Sequence, residues 1–193
     1  MFLLPCETRC DEALAFPARL RPAIHSAVVR LANSESDPPR HVFAVRVDQQ
    51  ILRIPYRLYY DLDVLRRELD AAHGDTRLIL ACLGTRHHDG HLRQACLPRL
   101  FESDEAWLTP YLLQLASEYV VEIVRDIAIG IGRRDKAALA TFALDNPAYL
   151  ATLERRVCSY WSYYHRAAYP DRMDYPGSKV LAVLRAACPA SGS

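Results

Sequence analysis

The sequence predicts a mainly α-helical fold with one β-hairpin near its N-terminus. Beyond Tyr60, apolar residues recur at helical spacing in segment after segment. Between residues 41 and 60 the period switches to two, with Phe43, Val45 and Val47 alternating and then Leu52, Ile54, Tyr56 and Leu58. Asp, Asn, Pro and Gly fall where helices should start and stop.

Residues 1–20 show little periodicity, and Pro5 and Pro17 break any long element. From Arg21, "RPAIHSAVVRLA" reads as a helix with Pro22 at its first position and Ile24, Val28 and Leu31 on one face. Residues 33–40, "NSESDPPR", read as a surface loop. The hairpin spans 41–60 around a polar turn at "DQQ". Pro55 cannot donate to a ladder, so it belongs at an edge or a bend. A lone hairpin is marginal, so it must pack on helices or pair with a strand of a partner chain.

The helical core is expected over 61–187. One helix starts at an Asp61 cap and ends at Gly74. The next runs from an Asp75 cap to a stop at Gly84. Residues 89–103 form a helix disturbed by Pro98. A long helix is expected from Thr109 to Ile129, closed by Gly130 and Gly132, then a short one over 133–144. Asn146 as cap and Pro147 begin a helix whose face 150, 153, 157, 160/161, 164 and 168 is apolar or aromatic. A loop and a short helix from Ser178 follow, and 188–193 should be a disordered tail.

The 193 residues are expected to form a single domain, long enough to bury a core without staples. A net charge near +1 gives no global basic field for nucleic acid or an anionic membrane. The opening "MFLLPCETRCDEAL" lacks the apolar run of a secretory signal. The most apolar stretch, 111–132, is interrupted by Glu118, Glu122, Arg125 and Asp126, which argues against a membrane span. A cytoplasmic protein is expected, with its six scattered cysteines reduced.

The most conspicuous local feature is "TRHHDGHLRQACLPR", which places His87, His88 and His91 between Cys82 and Cys96. Leu83-Gly84, Asp89, Leu92-Arg93, Ala95-Cys96-Leu97 and Leu100 together resemble one unit of a HEAT-type helical repeat over residues 78–100. The resemblance implies stacked antiparallel helices and a concave face that binds a partner. It also implies that Leu97 and Leu100 enter the core, that Ala95 and Cys96 permit close helix approach, and that Arg93 reaches turn carbonyls or a neighbouring Asp.

Three constellations could carry chemistry. The C-x4-H-x3-H-x4-C spacing of Cys82, His87, His91 and Cys96 offers zinc ligands, set against a solvated turn whose histidines cap helix ends or hydrogen-bond neighbours. Glu118, Glu122 and Asp126 form a stripe at i, i+4 and i+8 on the long helix. Its partners would be Arg93, Arg125 or Arg155, or a metal held with the histidines. The segment "YWSYYHRAAYPDRMDY" interleaves tyrosines with arginines and suits either base stacking or a protein hot spot. In it, Tyr160, Trp161 and Tyr164 are expected on the core face, and Tyr163, Tyr169 and Tyr175 at the surface. There is no Gly-rich phosphate loop, no G-x-S-x-G and no H-E-x-x-H.

These features point to a non-catalytic protein-binding helical scaffold that needs no cofactor and makes no membrane contact. Its binding residues would be Arg86, His87, His88, His91, Tyr163, Arg166, Tyr169 and Arg172, with a homodimer as one form of partnership. One alternative is a metal-dependent hydrolase in which His87, His88 and His91 meet Glu118 and Glu122, zinc being the metal and His87, His91, Glu118 and Glu122 its ligands. Another is a nucleic-acid binder through residues 155–175.

Overall fold

Asp48 and Gln49 both take left-handed backbone angles, with φ of 48° and 62°. That pair makes the tight turn that matches the twist of a two-stranded ribbon. It joins β1 (Val42–Val47) to β2 (Gln50–Pro55) in antiparallel register, from Val47 opposite Gln50 to Val42 opposite Pro55. The structure is a computed structural model and describes residues 12–31 and 41–188. Among these the fold is mainly α, with nine α-helices and this one hairpin, as the periodicity predicts. The expectations for the loop 33–40, for Cys6 and Cys10, and for the tail beyond Cys188 lie outside the described residues. The chain divides into two units, meeting at Leu100 and Phe101.

In the first unit, Phe43, Val45, Val47, Leu52 and Ile54 fill the buried face of the hairpin. The Arg53 N–H donates to the Leu14 carbonyl at 2.8 Å, which covers part of the outer edge of β2. The second strand is shorter than expected. It stops at Pro55, where the ladder loses a donor. Leu58 then forms a single parallel bridge with His87.

Helix α1 (Arg21–Leu31) buries Ile24, Val28 and Leu31 as its spacing dictates, and packs chiefly on α3 (Gly74–Arg86). Helix α2 (Leu62–Ala71) has the expected cap, with Asp61 Oδ1 accepting from the N–H groups of Asp63 and Val64 at 3.0 and 2.9 Å. Two glycine readings need correction. Gly74, at φ 55°, opens α3 rather than ending α2, so Asp75 lies in the first turn and is not the cap. Gly84 lies inside α3. A Cβ there would collide with Cys96 Sγ of α4 (Gly90–Phe101), so this glycine serves close helix approach. Asp89 caps α4, its Oδ1 accepting from Leu92 N–H at 2.7 Å, and Leu92, Cys96, Leu97 and Leu100 are buried. That hydrogen bond holds the Asp89 carboxyl below the usual carboxylate range.

In the second unit the expected long helix is two helices. Helix α5 (Thr109–Leu115) is buried along its whole length, and α6 (Val121–Ile131) starts afresh after a break at 116–120. Ser117 Oγ donates to the Gln114 carbonyl at 3.0 Å, and Val120 is extended at ψ 103°. A serine that competes for backbone groups next to β-branched residues favours such a break. The acidic stripe is therefore divided. Glu118 is buried in the break, Glu122 is exposed in the first turn of α6, and Asp126 is half-buried one turn later. Gly130 makes room for the Phe101 ring.

Helix α7 (Lys136–Asp145) is capped by Asp135. Asn146 does not cap α8 (Pro147–Tyr160) with its side chain. Its Nδ2 instead donates to the Phe142 carbonyl at 2.8 Å and closes α7. Helix α8 runs into a π-helical segment, Trp161–His165. Helix α9 (Pro176–Ala187) follows, starting two residues before the expected Ser178 and packing on α6, α7 and α8. Among the described residues no helix is long and apolar enough to cross a membrane, and Cys82, Cys96, Cys158 and Cys188 are free thiols.

Candidate binding surface

The histidine turn is built into the core of the first unit. The Leu58 N–H donates to the Arg86 carbonyl at 2.9 Å, and the His88 N–H donates to the Leu58 carbonyl at 3.1 Å. Between them, His87 Nε2 lies 2.9 Å from the Tyr60 carbonyl, and His87 Nδ1 accepts the Asp89 N–H at 3.1 Å. A carbonyl can only accept, so Nε2 carries the hydrogen and Nδ1 is bare. Both bonds therefore need the neutral ring. Burial, with His88 alongside, lowers the His87 pKa to about 4. Arg93 Nη1 donates to the carbonyls of His87 and His88 at 2.9 and 2.8 Å, the reach to turn carbonyls that the repeat resemblance implied.

His87 hydrogen-bonds its neighbours as the turn reading allowed, but it and Arg86 lie in the core and not at the expected surface. Arg86 and His87 are buried, with Arg86 Nε directed at Thr85 Oγ1. Only His88 and His91 face solvent, and His88 stacks on Tyr59 at 5.4 Å. Cys82 and Cys96 are buried thiols. Burial raises both, Cys96 to about 12, so neither supplies a ready thiolate. Among the described residues no three His, Cys, Asp or Glu side chains gather to hold a metal ion.

The second unit carries the more open arrangement. At its base Tyr175 is fully buried and its hydroxyl is pushed up to about 12 by burial. His165 stacks on it at 5.4 Å and 19°, and Tyr169 meets it edge-on at 5.7 Å. Arg125 donates from Nε and Nη2 to the Tyr169 hydroxyl at 3.0 and 2.9 Å. Trp161 Nε1 donates to the Tyr169 carbonyl at 2.9 Å, and His165 Nε2 donates to the Tyr119 carbonyl at 3.0 Å.

On this braced base stands a layer of solvent-facing rings. Tyr163 is 81% exposed, Tyr164 56% and Tyr119 54%. Tyr164 is the hub, 4.7 Å from Tyr163, 5.9 Å from Tyr160 and 6.4 Å from Tyr119 between ring centroids. Arg156, Ser159, Tyr160, Tyr163 and Tyr164 line a shallow open groove. The Arg166 guanidinium lies 6.0 Å from the Trp161 ring centre, and Arg172 Nη1 donates to Cys158 Sγ at 3.3 Å.

Two aromatic assignments reverse. Tyr175, expected at the surface, is buried, and Tyr164, expected in the core, is exposed. A strict α period groups Tyr164 with Val157 and Tyr160. The π segment adds about one residue to a turn, and so rotates later side chains by about 100°. Tyr119 and Arg125 also belong to this arrangement and were not among the expected binding residues, and Arg156 was expected only within the nucleic-acid alternative over 155–175. Ser117, which helps break the helix just before Tyr119, was the available signal for the first two. Comparison with known proteins finds no matching family model, no matching curated protein and no matching solved structure.

Proposed function

We propose that the chain is a non-catalytic protein-binding helical module, and that it binds through the tyrosine–arginine face around Tyr160, Tyr163, Tyr164 and Arg166. One observation carries the reading. Solvent-facing rings stand on a hydrogen-bonded base in which Tyr169 is held by both Arg125 and Trp161. A base held before binding lowers the entropy cost of presenting those rings, and Tyr, Trp and Arg dominate protein hot spots. The helix pair α3–α4 is read here as one HEAT-like unit of the scaffold, presenting His88 and His91. The commitment of both His87 ring nitrogens turns the reading away from a hydrolase built on that histidine.

The test places a photo-crosslinking phenylalanine analogue at Tyr163, and in a control at exposed Lys136. A discrete adduct to a cellular protein from position 163 and none from 136 supports the reading. Equal labelling from both positions, or tight binding of a single-stranded oligonucleotide with a steep salt slope, overturns it.

A further inference from the structure

We infer that the tyrosine–arginine face takes a short acidic peptide segment, with a proline or aromatic side chain as its anchor; this rests on the protein-binding reading above.

The charge pattern favours an acidic ligand. Residues 155–170 contain Arg155, Arg156 and Arg166 and no Asp or Glu. The acids that flank this run are engaged elsewhere, Glu154 with Arg185 and Asp171 with the Met173 N–H. An acidic segment meets complementary charge here, and a basic one is repelled. Arg155, although it donates to Thr152 Oγ1 on its own helix at 2.9 Å, is exposed and adds to the same field.

The groove sets the length and the anchor. Arg156, Tyr160 and Tyr164 line the one groove, and the eight residues from first to last rise about 12 Å along the helix axis. That is the reach of about four residues of extended chain. Tyr160 and Tyr164 stack at 29°, and Tyr163 stands at 73° to Tyr164, giving a ring wall with an edge. Such a wall accepts a flat or pre-extended apolar group, as aromatic-lined grooves do for proline-rich segments.

Random dodecapeptides displayed on phage are selected on the folded chain and counter-selected on a Tyr163→Ala/Tyr164→Ala variant. Both tyrosines are exposed, and a far-UV spectrum and melting curve check that the variant keeps its fold. The expected survivors share a stretch of about four residues that joins two or more carboxylates to a proline or aromatic. A synthetic survivor should bind the native chain at least about tenfold more tightly than it binds either the double variant or Arg166→Gln. A neutral or basic consensus overturns the inference, as does a selection with no survivors. The protein-binding reading still stands in those cases if position 163 crosslinks. Displacement of the peptide by oligo(dT) of twelve residues, with a steep salt slope, overturns both.

Discussion

The backbone N–H of Asp89 donates to Nδ1 of His87 across 3.1 Å, so the cap residue of α4 and the buried imidazole before it fix one another. A proton on that nitrogen would face an N–H instead of a lone pair. Burial, and then the neighbouring His88, lower the pKa of the native ring from 6.5 to about 4. Between those values the unfolded chain binds the extra proton and the native chain does not. The contribution is complete above pH ~6.5 and is lost as the pH falls toward ~4, by at most about 1.4 kcal/mol per pH unit. Denaturant titrations from pH 7 to 4 should show this slope in the native chain. They should show less of it in His87→Gln, which is also less stable at pH 7.

Gly84 leaves no room for a methyl group beside Cys96. Gly84→Ala should cost about 1–3 kcal/mol through overpacking. Cys96→Ala removes the colliding sulfur and should recover part of that loss in the double variant. A double-mutant cycle by urea unfolding gives the coupling, and additive effects would contradict the direct contact.

Gln49 has a φ of 62°. A left-handed conformation costs a residue with a Cβ roughly 1–2 kcal/mol, and glycine escapes most of that at an entropic cost of ~0.5–1 kcal/mol. Gln49→Gly should therefore stabilise by about 0.5–1 kcal/mol. A rise in the melting temperature checks it.

Tyr169→Phe removes the hydroxyl that receives both Arg125 bonds and keeps the ring beside Tyr175. Its stability cost should be small, because the Arg125 side chain that it releases is open to solvent. Its effect on the binding of an acidic peptide at the exposed tyrosines should exceed that of Tyr59→Phe in the first unit. Fluorescence anisotropy with the same labelled peptide compares the two.

The hairpin and most helices were legible because each rests on a local pattern. Alternation at Phe43, Val45 and Val47, the Asp61 cap and the 24/28/31 face all act within a few residues. The misreadings arose where a distant partner decides the role. Gly84 reads as a helix stop until Cys96 is placed against it. His87 reads as a surface ligand until the Tyr60 carbonyl meets its ring. Tyr164 leaves the core face where the π segment shifts the phase of a helix, which a fixed period cannot register, and Tyr175 is buried from a segment that reads as loop. The aromatic–arginine segment was visible as composition, but its braced base depends on Tyr119 and Arg125, far from it in sequence.

The single bridge between Leu58 and His87 also bears on how the first unit could be divided. It clasps the chain at two points with α2 and α3 as an excursion between them. A cut after Ala72 would leave one half of the clasp on each fragment, together with a share of the buried core. Separately produced pieces should then find each other and restore the hairpin–helix unit, so the α2–α3 junction is the natural place to split this protein into a complementing pair.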